Sequence, residues 1–240
     1  MIDELCPPIT VDGRTTYPAP SPGRFMARQP ILDAQCKTIG YELLFLEGWN
    51  NTFSGEPNQA TRRILDHCDC AFIGLSSLTQ KELAFVNCTR EALVHGLVTL
   101  MPASSTVLEI LETVEPDAEP VAVCTELHRM GYALALNDFV PRKRMQSLVA
   151  LATYIKVDYR TSDATQRCAI RQQARGTTAA LLVEKVETKD DFTHALEEGC
   201  KYFQGFFLPP PHDGPRRIPP RRLSHLHLPT APWSPLTPSA

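Results

Sequence analysis

Short runs rich in β-branched, aliphatic and aromatic residues alternate with stretches of helical period along most of the chain. The runs are 25–32 (FMARQPIL), 41–46 (YELLFL), 84–88 (AFVNC), 106–111 (TVLEIL), 132–137 (YALALN), 153–158 (TYIKVD), 179–184 (AALLVE) and 202–207 (YFQGFF). Helix-period segments lie between them at 59–75, 119–131, 141–152 and 188–199. Thr188, followed by Asp190 and Asp191, reads as a helix start. Gly131, Gly176 and Gly199 stand where helices should stop. The link between the first two runs, DAQCKTIG, is too short for a crossover helix, so those strands are expected to pair antiparallel. The remaining alternation predicts parallel strands with helices outside: an α/β fold, a TIM-like (β/α)8 barrel with an antiparallel first strand.

The strands carry a second signal. Polar groups interrupt their apolar neighbours: Glu42, Asn87, Glu109, Asn137 with Asp138, Lys156, Glu184 and Gln204. A carboxylate in an apolar strand is costly unless paired or metal-bound. One per strand of a barrel would converge on one rim, and active sites sit on the C-terminal rim. The competing reading is a scatter of structural ion pairs at strand ends. Carboxylates with an Asn suit hard divalent cations such as Mg²⁺ or Mn²⁺. Two such ions could activate water for phosphodiester hydrolysis, with a Lys steadying the charge. No Walker or Rossmann glycine loop is present, and no thiolate or imidazole set suggests zinc. His67, His95, His128 and His194 fall in or beside helical segments and read as surface or packing residues.

Composition sets the limits. The 240 residues match a barrel of about 250. A net charge of −3 gives no general push toward nucleic acid or anionic membrane. No run of 18 apolar residues predicts a membrane span, and MIDELCPPIT does not read as a secretory signal, so a cytoplasmic location is expected. The eight cysteines show no CxxC pair and are expected to be reduced. His67-Cys68-Asp69-Cys70 sits in helical pattern, where i and i+2 diverge, and reads as packing rather than as a metal clip. Residues 1–23, rich in Pro, Ser and Thr, are expected to form a disordered leader. The barrel domain spans 24–210, and 211–240, dense in Pro with two Arg pairs, reads as a disordered tail.

The ordered set FMARQPILD, GYELLF, FVNCT, LEILE, ALNDF, YIKVD, VEKVET and FQGFF resembles EAL domains, the fold of cyclic di-GMP phosphodiesterases, over roughly residues 24–210. The wording RQPI, GYELLF and EKVET is most similar to the EAL-like half of EAL-HDOD signalling proteins. Those continue into a second helical domain, whereas Pro-rich sequence follows Leu208 here, as in a barrel-only or shortened chain. The resemblance implies that Glu42, Asn87, Glu109 and the pair Asn137-Asp138 are metal positions. It implies that Lys156 and Glu184 are catalytic, and that Glu187 and Gln204 belong to loops that meet the ligand. It also implies a bacterial signalling role and, in some members, a dimer formed through rim helices and loops.

Three departures from the family pattern stand out. Asn137 replaces the leading Asp of the DDFG motif, whose carboxylate bridges two metals. Val140-Pro141-Arg142 replaces a glycine-containing loop. Leu46 replaces the Arg expected to grip a substrate phosphate. The first expectation is therefore a degenerate signalling domain with catalysis lost or weak, acting on an unknown signalling protein, with a remnant Mg²⁺ or Mn²⁺ site or none. The alternatives are a weak cyclic di-GMP phosphodiesterase and a non-hydrolytic cyclic di-GMP binder.

Overall fold

The computed structural model describes residues 9–11, 14–16, 24–47 and 74–205, with side chains described for 28–44 and 75–205. Two short strands come first, β1 (Ile9–Val11) and β2 (Arg14–Thr16), paired antiparallel within the expected leader. Eight strands then close a barrel: β3 (Arg24–Asp33), β4 (Thr38–Glu47), β5 (Leu83–Cys88), β6 (Thr106–Ile110), β7 (Ala133–Leu136), β8 (Tyr154–Asp158), β9 (Ala180–Glu184) and β10 (Tyr202–Phe203). Their order around the barrel is β10-β3-β4-β5-β6-β7-β8-β9. β3 runs antiparallel to both neighbours, and every other pairing is parallel. This is the expected barrel with its reversed first strand.

The helices among the described residues are α1 (Gly74–Leu78), α2 (Arg90–Val94), α3 (Ala118–Arg129), α4 (Gln146–Leu151), α5 (Ala164–Ala174) and α6 (Lys189–Glu197). Asp163 and Thr188 start α5 and α6 with reciprocal capping boxes, through Gln166 and Asp191. Gly131, Gly176 and Gly199 follow α3, α5 and α6 with φ of 92°, 81° and 87°, a region open to glycine at little cost. None of the described helices is long and apolar enough to cross a membrane. Most of the helix expected over 59–75, with His67-Cys68-Asp69-Cys70, lies outside the described residues, as does the tail from 211 onward. The described cysteines, Cys36, Cys88, Cys124, Cys168 and Cys200, are free thiols.

Two apolar layers hold the strands. One lies between strands and helices and includes Tyr41, Leu43, Val86, Leu108, Leu134, Ile155 and Cys124. The other fills the barrel itself: Ile31, Phe85, Val107, Ala135, Tyr154 and Leu182, one from each of six strands. Phe85 and Tyr154 meet at 5.2 Å, and Tyr154 and Tyr202 at 5.3 Å between ring centroids. Gly40 makes room for this plug. A Cβ there would fall 2.8 Å from the Phe85 ring and 2.8 Å from the Leu83 carbonyl oxygen.

Candidate functional site

The pleat of each strand brings every second residue to the same face. Two positions past the plug layer, the interior-facing residues become polar: Asn87 follows Phe85, Glu109 follows Val107, Lys156 follows Tyr154 and Glu184 follows Leu182. Glu42 stands in the same relation to Gly40, and Gln204 to Tyr202. The polar layer therefore closes over the apolar plug at the C-terminal ends of the parallel strands.

Lys156 is the centre of that layer. It is fully buried, with its ammonium 2.7 Å from Glu184 Oε1, 2.8 Å from Glu109 Oε1 and 3.3 Å from Glu42 Oε2. Glu42 accepts two more hydrogen bonds, from Gln204 Nε2 at 2.7 Å and from Asn87 Nδ2 at 3.3 Å. Burial opposes the charge of all four ionisable groups, and their neighbours decide each outcome. For Lys156, three glutamates outweigh burial and hold its pKa well above the ordinary range. For Glu42, burial is offset by Lys156, Gln204 and Asn87, and its carboxyl lies below the usual value. For Glu109, burial prevails over Lys156 and pushes the carboxyl up to about 8. Glu184 is also raised by burial, with Glu42 adding to the shift.

A second group sits beside the first, in the loops after β7, β8 and β9. Asp138 has φ of 42°, and burial raises its carboxyl. Its buried Oδ1 has no hydrogen-bond partner. Asp158 ends β8 and accepts from the Arg160 and Thr161 N–H groups at 2.8 and 3.1 Å. It also accepts from the Lys185 ammonium. These bonds overcome burial and lower the Asp158 carboxyl. Neither Asp158 nor Lys185 was singled out in the sequence. The available signal was a cation directly after Glu184 on the rim.

Not every expected site residue joins the cluster. Asn137 is held through its backbone, whose N–H donates to the Ile110 carbonyl at 3.0 Å; among the described residues its side chain makes no bond to the polar layer. Glu187 is half-exposed and pairs with Arg160 at 2.8 Å, outside the Lys156 cluster. Leu46 lies on β4 opposite Phe25, and its side chain is outside the described set. Of the histidines, His95 caps the end of α2, while His128 and His194 lie in the last turns of α3 and α6.

The donor set suits a hard cation in its chemistry but not in its present arrangement. Oxygen donors predominate, and buried Asp138 Oδ1 and Gln204 Oε1 are acceptors without donors. Three glutamates, however, face the Lys156 ammonium. Among the described residues no three Asp, Glu, His or Cys side chains are grouped so that they could hold a metal ion.

Comparison with known proteins gives a consistent result. The EAL domain family model matches residues 59–211. The chain is 32% identical over 191 residues to the cyclic di-GMP phosphodiesterase CdgJ of Vibrio cholerae serotype O1, covering 78% of the chain and 44% of CdgJ. It is also 32% identical over 193 residues to the uncharacterised protein YuxH of Bacillus subtilis, covering 78% of the chain and 47% of YuxH. The chain thus spans less than half the length of these relatives. Among solved structures, the Bacillus subtilis YkuI protein, with an EAL domain and in complex with c-di-GMP and calcium, superposes with a TM-score of 0.59. That match is 23% identical and covers 76% of this chain and 53% of the other; it shows the shared barrel.

Proposed function

Because the chain belongs to the EAL domain family, we propose that it is a catalytically impaired member that signals by presenting its barrel to a protein partner. One observation carries the reading: Asn137 stands where the family places a bridging carboxylate, and an amide brings one oxygen and no charge. The Lys156 ammonium, at a position the family shares, is held by Glu42, Glu109 and Glu184 at 2.7–3.3 Å. Val140-Pro141-Arg142 stiffens the loop that follows. Leu46 supplies no donor for a phosphate. Losses in parts that act as a unit are not repaired one at a time. The proposal groups the chain with the EAL-like halves of EAL-HDOD proteins, takes 24–210 as its working domain, and puts it in the cytoplasm.

The second reading is a weak metal-dependent cyclic di-GMP phosphodiesterase. The unmatched acceptors Asp138 Oδ1 and Gln204 Oε1 favour it, as does the activity that CdgJ's name carries. On that reading Glu42, Asn87, Glu109 and Asp138 would hold Mg²⁺ or Mn²⁺, which would supply activated water, with Lys156 and Glu184 as the catalytic side chains beside it. Incubation of the 240-residue chain with cyclic di-GMP and Mn²⁺ or Mg²⁺ separates the two. The expected result is no linear dinucleotide above a protein-free control. Turnover matching CdgJ assayed alongside would overturn the first reading. Micromolar binding of cyclic di-GMP without turnover would instead make the barrel a sensor.

A further inference from the structure

Lys185 lies in the turn between β9 and α6, with a φ of 57°. That backbone region costs a residue with a Cβ roughly 1 kcal/mol or more, and glycine occupies it freely. A lysine there is explained by where its side chain goes. Its ammonium reaches back to Asp158 at the end of β8, while the side chain stays half exposed. Asp138 and Glu184 are the next anions within its field. Lys185 therefore bridges the loops after β7, β8 and β9 electrostatically, from the Asp158 side of the rim, and shares Glu184 with Lys156.

We propose that Lys185 is a tethered cation that occupies, by charge, the place where the Asp138–Asp158–Glu184 side of the rim would take up a divalent metal ion. With Lys156 compensating Glu42, Glu109 and Glu184, the two lysines cover the acidic rim from both sides and meet at Glu184. The inference deepens the reading of an impaired site and rests on it, since it explains why so many oxygen donors persist without forming a metal cluster. It also accounts for the backbone conformation: the turn adopts an unfavoured φ and delivers an ammonium where a glycine would deliver nothing.

The test is Mn²⁺ binding by calorimetry, without nucleotide, to the full chain and to three variants. Lys185→Met removes the charge and keeps the stem. Lys185→Gly removes the charge and relaxes the turn. Lys185→Arg keeps the charge. Met and Gly should each bind Mn²⁺ about tenfold tighter than the parent, because a unit charge beside a divalent site is worth more than a tenfold change even at high effective dielectric. Arg should match the parent. Equal affinity in all four proteins, or no binding in any, overturns the inference. So does tightening in Gly alone, which would assign the effect to backbone freedom. Failure here leaves the hydrolysis assay untouched, and turnover by the parent chain would refute the impaired site without deciding what Lys185 does to metal affinity.

Discussion

Glu109 is the residue on which the rim's electrostatics are most finely balanced. It is fully buried, within 2.9 Å of Lys156 through both oxygens, yet it shares that single ammonium with Glu42 and Glu184. Burial raises its carboxyl from the ordinary 4.5 to about 8. Between those values the folded protein holds a proton that the unfolded chain has released, so stability falls as pH rises. The contribution is fully present below about pH 4.5 and is lost as pH approaches 8. Urea denaturation with a chelator present should show this decline, and Glu109→Gln should flatten it by fixing a neutral side chain. An unchanged slope in the variant would place the titration elsewhere. The convergence of Glu42, Asn87, Glu109, Lys156, Glu184 and Gln204 was legible in the sequence, because each breaks an apolar strand at the same depth past the plug. Lys185 and Asp158 were not, because their meeting depends on a left-handed turn that no strand pattern encodes.

At the scale of elements, strands and helix caps follow directly from local chemistry, while the loops that carry the rim depend on close approach. The clearest case is Gly205. A Cβ there would lie 2.0 Å from the Val186 carbonyl oxygen and 2.5 Å from its nitrogen. The same contact includes the Val186 N–H, which donates to the Gln204 carbonyl at 3.1 Å. Gly205→Ala must push the β9 loop away from the end of β10, and with it the Gln204 amide that donates to Glu42. A loss of about 2 kcal/mol is expected from such overpacking, with the Gln204 side-chain amide shifted in NMR spectra. Gly199→Ala is the comparison: its φ is 87°, and nothing lies within 4 Å of its added Cβ. That variant should cost about 1 kcal/mol and leave the Gln204 signal in place. Thr188 was readable as a helix start because a cap needs only residues three apart. Gly205 reads in sequence as a glycine in an aromatic run, since the backbone it must clear is 19 residues away.

Over the whole molecule, eight alternating runs were enough to specify a barrel, because each strand must bury one face on the plug and the other beneath helices. They did not reveal where the barrel closes. Among the described residues, the run expected over 202–207 contributes Tyr202–Phe203 to the ladder, pairing with Leu32 and Asp33 on one side and Leu182 and Val183 on the other. What holds the seam is packing: Phe203 is fully buried and meets Phe192 of α6 at 4.4 Å, in a cluster with Leu32, Val183 and Val186. The same seam carries Gln204 to Glu42, so barrel closure and rim assembly are one event. Phe203→Ala should therefore remove about 3–5 kcal/mol and weaken the barrel locally. Hydrogen exchange should speed up first in β9, β10 and β3, while β5–β7 stay protected. Phe85→Ala removes a buried ring of the same size from the plug, and its loss should be shared around the barrel. Identical exchange patterns for the two variants would mean that the seam is no weaker than the rest of the sheet, and that the rim does not depend on it.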